Sequence, residues 1–299
     1  MENILAIVGL GHTGSTILDL SLGCNSKVIG LGEIVAMLKA THAELESTEL
    51  SAYLCSCGKN YNECEFWSKA KELLIQYYDC CNTIKYQLLI HKFQEMFGSN
   101  IWIVDSSKSL HKGLLSNCKK EKCNLKVVFL VRDFRSWIYS RHSRLGTSRI
   151  VLALTWLKNN LNYLHELEEN NIDYMNIGYD EFALYPEMIL RKLCGYIDVN
   201  YEPCMLEPHV YSNSHILRGN VVRADQEKAS RITYDGRWLT SSKIAVLSSL
   251  LFPLHRINNK LVYSNFVRGH STAFGRKQRD FYLFGNARKE EIRKSVEGR

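Results

Sequence analysis

A run of five apolar residues, 4–8, empties into Gly9-Leu10-Gly11-His12-Thr13-Gly14-Ser15-Thr16, and apolar residues then recur at helical spacing over 16–22. A short apolar run bounded by glycine reads as a strand buried on both faces, the kind that parallel sheets are made of. The junction is therefore strand, tight loop, helix. In that arrangement the free backbone N–H groups at the helix start face the loop and favour an anion.

Further apolar runs at 101–104, 127–131 and 174–177 read as strands, and 28–31 as a short strand or tight loop. Two of them end in polar groups, Asp105-Ser106-Ser107-Lys108 and Arg132-Asp133. Residues 151–169 have the pattern of a long amphipathic helix, and 37–97 is mostly helical with an interruption at 55–67. Strands alternating with helices, with polar residues at strand ends, predict an α/β fold: a P-loop NTPase-like parallel sheet flanked by helices. Only 4 prolines leave few candidates for a linker. One domain over 1–299 is expected, with a helical excursion at 37–97 on the acceptor side of the site.

The net charge is +7, and the segment 264–299 carries nine Lys/Arg against four Asp/Glu. A basic C-terminal tail therefore holds most of the excess, which argues against a broad nucleic-acid face. The longest apolar stretch, 244–257, is broken by serines, Pro253 and His255, so no membrane association is expected. Met1-Glu2-Asn3 leads straight into the first strand without the pattern of a secretory signal. The 10 cysteines then read as mostly free thiols, and the cytoplasm is the expected location. Oligomeric state is not legible.

The glycine loop fits three templates. It satisfies GxGxxG with Glu33 about twenty residues on, as an NAD(P)-dependent oxidoreductase requires. It has P-loop spacing with Thr16 in place, but Ser15 stands where the phosphate-binding lysine belongs, which disfavours ATP or GTP chemistry. The third template needs neither lysine nor metal: His12-Thr13-Gly14-Ser15-Thr16 resembles the 5'-phosphosulfate loop of sulfotransferases, where amides and hydroxyls cradle the anion. A nucleotide-binding regulatory protein without chemistry is a further alternative.

A second anion site favours the third template. The run from Val127 to Val131, then Arg132-Asp133 and a serine, Ser140, eight residues after the arginine, resembles the sulfotransferase 3'-phosphate motif. Arginine offers phosphate a planar bidentate fork. The resemblance implies a sulfotransferase fold and transfer of a sulfuryl group from 3'-phosphoadenosine 5'-phosphosulfate (PAPS) to a hydroxyl or amino group, releasing adenosine 3',5'-bisphosphate (PAP). It assigns Gly11, His12, Thr13, Gly14, Ser15, Thr16, Arg132 and Ser140 to the nucleotide. It adds Tyr179 near the adenosine and Asn220 and Arg223 in a late loop closing over it. Arg144, twelve residues after Arg132, matches a nucleotide-contacting arginine of tyrosylprotein sulfotransferases. Glu33 stands at the offset of their catalytic glutamate, 19 residues after Gly14, and is the expected general base. Lys108 is the expected cation at the bridging oxygen. His12 and His111 are reserve bases. A small-molecule acceptor is favoured, such as a natural product of the saxitoxin-alkaloid kind.

Cys55, Cys57 and Cys64 bring three thiols within ten residues. A zinc site needs a fourth ligand, and Cys80, Cys81 and His42 all lack a standard spacing. No metal is assigned, and the segment is expected to be a packed loop. A similar Cys-x-Cys-Gly…Cys-x-Phe-Trp segment occurs in shorter bacterial-type sulfotransferases.

Overall fold

The computed structural model describes residues 2–47, 53–120, 123–219 and 232–267. Five parallel strands form one sheet: β1 (Asn3–Val8), β2 (Val28–Gly32), β3 (Trp102–Lys108), β4 (Asn124–Val131) and β5 (Tyr174–Gly178). Their order is β2-β3-β1-β4-β5. Every expected strand is present. The largest change is at β3, which runs on through Asp105-Ser106-Ser107-Lys108 rather than ending before them. Those polar groups find partners inside: Asp105 accepts from Tyr86 and from the Ser107 amide, and Ser106 donates to buried Asp19 at 2.7 Å. A satisfied polar side chain need not end a strand.

The order excludes the dinucleotide template. A Rossmann sheet runs 3-2-1-4-5-6 and sets β2 beside β1. Here β3 lies between them, so Glu33 at the end of β2 stands two strands from the glycine loop and next to β3.

Helices follow in chain order: α1 (Ser15–Leu22), α2 (Ile34–Leu38), α3 (His42–Glu46), α4 (Glu65–Gln76), α5 (Asn82–Phe97), α6 (Lys112–Lys120), α7 (Phe134–Leu145) and α8 (Arg149–Glu169). Beyond β5 come α9 (Tyr179–Leu184), α10 (Pro186–Tyr196), α11 (Pro208–Tyr211), α12 (Ser242–Leu250), α13 (Phe252–Val262) and α14 (Ser264–Val267). None of the described helices is long and apolar enough to cross a membrane. Side chains alternate across each strand and build two cores. Ile4, Ala6, Val8, Val127, Phe129 and Val131 join Phe66, Trp67, Phe93 and Trp156 on one face. Leu5, Ile7, Val128 and Leu130 join Leu18, Leu22, Leu190 and Leu193 on the other. Each such aliphatic side chain contributes about 1.5–3 kcal/mol on full burial.

Cys118 and Cys123 form a disulfide between the end of α6 and the start of β4, within a set expected to be mostly free thiols. None of the other cysteines joins a disulfide.

Candidate functional site

Each strand ends in one of the residues singled out from the sequence. In spatial order, the C-terminal edge carries Glu33 after β2, Lys108 at β3, the glycine loop after β1, Arg132 after β4 and Tyr179 after β5. Neighbouring strands lie about 4.8 Å apart, so Lys108 and Arg132 flank the loop from strand ends about 10 Å apart. Clefts at the carboxyl ends of an open parallel sheet are where α/β folds bind ligands.

The loop is tightly constrained. Gly9 must be glycine, because a Cβ there would lie 2.2 Å from the Leu130 carbonyl oxygen. Thr13 Oγ1 donates to the Leu10 carbonyl at 2.8 Å, and Trp137 Nε1 donates to Gly11 O at 2.8 Å. Gly14, with φ 90°, is the N-cap of α1 and supplies no side-chain cap. A Cβ on it would strike the Tyr179 ring at 2.2 Å, so loop and ring are in contact. Thr13, Ser15 and Thr16 are buried at the helix start, and Gly11, His12 and Gly14 are half-buried. Gly14 gives α1 no side-chain cap, and the positive end of the helix dipole at this turn favours an anion.

Four cations act on this loop. Burial pushes His12 down to about 4, and the charges of Arg141, Arg144, Lys108 and Arg132 push the same way. Arg144 is exposed near the end of α7 and contributes at range. Arg141, one helical turn after Trp137, is the cation that sequence reasoning missed. His12 and Lys108 have φ of 68° and 67°, two of the four non-glycine residues with positive φ among those described. Left-handed backbone costs an L-residue about 1–2 kcal/mol, and its concentration around one loop fits a binding site.

Arg132 is buried, and each of its three guanidinium nitrogens donates a hydrogen bond. Nε donates to Ser136 Oγ at 3.0 Å, Nη1 to the His12 carbonyl at 3.0 Å and Nη2 to Asp235 Oδ2 at 2.5 Å. The guanidinium also stands 5.3 Å from the centre of the Tyr179 ring. Ser140 is buried one turn beyond Ser136 on the same face of α7. Ser136, unremarked in the sequence, is therefore the hydroxyl that touches the arginine. Asp133 does not pair with Arg132; it caps α7 and takes Arg135, Asn258 and Tyr263 instead.

At the other flank, Lys108 Nζ and Glu33 Oε1 form an ion pair. Glu33 occupies the N-cap position of α2 but makes no cap hydrogen bond, because its carboxylate turns to Lys108. His111 is engaged elsewhere, 3.0 Å from Asp105. Beneath the pair, Asp19 accepts from Ser106 Oγ and from the Gly32 amide at 3.2 Å. Burial lifts its carboxyl to about 8 against those hydrogen bonds.

The late loop approaches from above. Arg218 O accepts from the Glu33 amide at 3.4 Å, and a Cβ on Gly219 would lie 3.4 Å from Thr16 Oγ1 and 3.8 Å from Glu33 Oε1. Asn220 and Arg223 lie outside the described residues. Thiols of Cys55, Cys57 and Cys64 converge below this loop on His215, the fourth donor that sequence spacing failed to supply. Of the residues weighed for that place, His42 pairs with Glu46 and meets the Tyr78 ring edge to face, while Cys81 is exposed before α5.

No family model matches the chain, and no curated protein matches it in sequence. Among solved structures, the sulfotransferase domain from the curacin biosynthetic pathway is similar, with TM-score 0.46 and 19% identity over 84% of this chain and 98% of that one. The sulfotransferase domain from the Synechococcus PCC 7002 olefin synthase gives 0.49 and 14%, covering 85% and 96%. A sulfotransferase from Alicyclobacillus acidocaldarius gives 0.43 and 12%, covering 90% and 98%. These three solved structures, to which the chain is similar over most of its length, are all sulfotransferases or sulfotransferase domains.

Proposed function

We propose that the chain transfers a sulfuryl group from PAPS to a hydroxyl or amino group of a small-molecule acceptor and releases PAP. The observation that carries this reading is the ordered edge: the glycine loop at the start of α1 with Arg132, Ser136 and Ser140 on one flank and the Lys108–Glu33 pair on the other. Anion sites on adjacent strand ends, the glycine loop after β1 and Arg132 after β4, suit a nucleotide phosphorylated at both 5' and 3' positions.

In the reaction, Glu33 takes the acceptor's proton as the new bond to sulfur forms. The bond from sulfur to the bridging oxygen of the 5'-phosphate breaks. Lys108 exchanges Glu33 for that oxygen, and the α1 amides hold the charge that grows there. Tyr179 offers its ring to the nucleotide side of Gly14. Saxitoxin-type alkaloids are acceptors to test first, alongside a panel of phenols, alcohols and amines.

Calorimetry in magnesium-free buffer with PAP, ATP and NAD tests the donor. Tight binding of PAP alone supports the reading. Equal or stronger binding of NAD or ATP sinks it.

A further inference from the structure

The cluster of Cys55, Cys57, Cys64 and His215 plays no part in the proposed transfer, and we propose that it is a structural zinc site. The four donor atoms all lie within 4.8 Å of one another. Cys64 Sγ is 3.7 Å from Cys55 Sγ and 3.3 Å from His215 Nδ1. A tetrahedral zinc ion with bonds of about 2.3 Å to sulfur and 2.0–2.1 Å to nitrogen sets S···S at about 3.8 Å and S···N at about 3.6 Å. The measured separations are close to those edges. A disulfide would need sulfurs at about 2.05 Å.

The chemistry of the set points to the same ion. Three thiols and one imidazole, with no carboxylate, form one of the standard structural zinc combinations. Cys55, Cys64 and His215 are buried, and Cys57 is half-buried. All four tetrahedral positions come from the protein, which leaves no open position for a substrate.

The backbone holds the ligands in place. Cys55-Ser56-Cys57-Gly58 is a tight turn, closed by Gly58 N to Cys55 O at 3.0 Å and Cys55 N to Lys59 O at 2.9 Å. Gly58 has φ 81°, which a Cβ would strain. Cys64 stands at the N-cap of α4. His215 comes from 151 residues away, and its loop is fastened to the turn by three bonds. Ser56 N donates to Ile216 O, Ser56 Oγ donates to Ser214 O, and the Ile216 amide donates to Ser56 Oγ. Around the imidazole, the Phe97 ring stacks at 5.6 Å and Trp67 Nε1 donates to His215 O.

This placement gives the ion a task. Residues 215–219 run from the metal ligand to Gly219, which sits against Thr16 and Glu33. A zinc ion there ties the cysteine turn and α4 to the segment that roofs the reaction site. The inference is independent of the sulfotransferase reading, because metal content is measured without turnover.

Elemental analysis of the full chain, purified under reducing conditions from zinc-supplemented culture without chelator, tests it. About one zinc per chain is expected, released stoichiometrically to a colorimetric chelator when an organomercurial caps the thiols. His215→Ala and Cys57→Ser should each lower occupancy by about tenfold or more after dialysis. His215→Cys should retain zinc, since four thiolates also make a structural site. Cys80→Ser and Cys81→Ser should retain it as well. Metal-free wild-type protein, or a mass map with Cys55 and Cys64 joined in a disulfide, would overturn the proposal. So would full zinc occupancy in folded Cys57→Ser.

Discussion

Arg132 donates through Nη2 to the carboxylate of Asp235 at 2.5 Å, across 103 residues of chain. Asp235 is held as an anion: burial works to raise its pKa, but hydrogen bonds from Arg237 and the charges of Arg132 and Arg237 hold it at about 2. A carboxylate thus occupies the guanidinium edge at which the proposed 3'-phosphate would bind.

The first prediction follows from that competition. Asp235→Asn should bind PAP about three- to thirtyfold more tightly than wild type, because the phosphate no longer displaces a charge. Arg132→Ala should weaken PAP by an amount on the order of 2–4 kcal/mol. Adenosine 5'-phosphosulfate, which lacks the 3'-phosphate, should be affected far less. Calorimetry on the three proteins checks this. Equal weakening of both ligands by Arg132→Ala would make the arginine a structural residue.

His12 supplies a pH test of the loop. Its folded-state pKa lies near 4, below the ordinary 6.5, because burial and four cations oppose protonation. An anion bound at the loop reverses the Coulombic part, so the imidazole pKa rises on binding and protons are taken up. The imidazole should therefore take up protons on PAP binding at about pH 5–6, read from calorimetric enthalpies in buffers of different ionisation heat. His12→Asn should remove that uptake and leave only the protons that the bound phosphates release. Identical uptake in the two proteins would place the nucleotide away from the loop.

Asp19 makes a stability prediction. Its folded pKa of about 8 exceeds the ordinary 3.8, so between those values the folded state binds more protons than the unfolded chain. Stability from this group is full below pH 4 and is lost as pH rises toward 8. Asp19→Asn keeps an oxygen for Ser106 and Gly32 but cannot ionise. The melting temperature of Asp19→Asn should accordingly gain on wild type as pH rises from 5 to 8, by a few degrees. Parallel curves would show that Asp19 does not titrate in this window.

The strands were legible because a strand buried on both faces is a continuous apolar run, and residues 4–8 and 127–131 are such runs. The continuation of β3 through Asp105 to Lys108 was not legible, because partners of these polar groups, Asp19 and Tyr86, are distant in sequence. Glu33, Lys108, Arg132 and Tyr179 were named beforehand from their resemblance to sulfotransferase motifs, and each directly follows or ends a strand. Their left-to-right order could not be foreseen, because nothing local records that β3 inserts between β1 and β2. His215 and Asp235 were invisible for the same reason. Each acts through a contact more than 100 residues away, on a loop with no periodic pattern.

The Glu33–Lys108 pair carries the last prediction. The two form an ion pair, yet the proposed transfer requires them to part: the carboxylate would face the acceptor and the ammonium the leaving oxygen. Glu33→Gln keeps the shape and removes the proton acceptor, so turnover should fall by about a hundred- to ten-thousandfold. Lys108 is then freed of its counter-charge, so PAP affinity should hold or tighten. Lys108→Met should also lower turnover, and it should differ by leaving donor binding weaker rather than stronger. The acid limb of the wild-type pH–rate profile should disappear in Glu33→Gln and persist in Lys108→Met. Single-turnover assays with a responsive acceptor separate these effects from product release. Near-wild-type turnover in Glu33→Gln would move the base elsewhere. His12 is then the next residue to test, although its low pKa makes it a weak base.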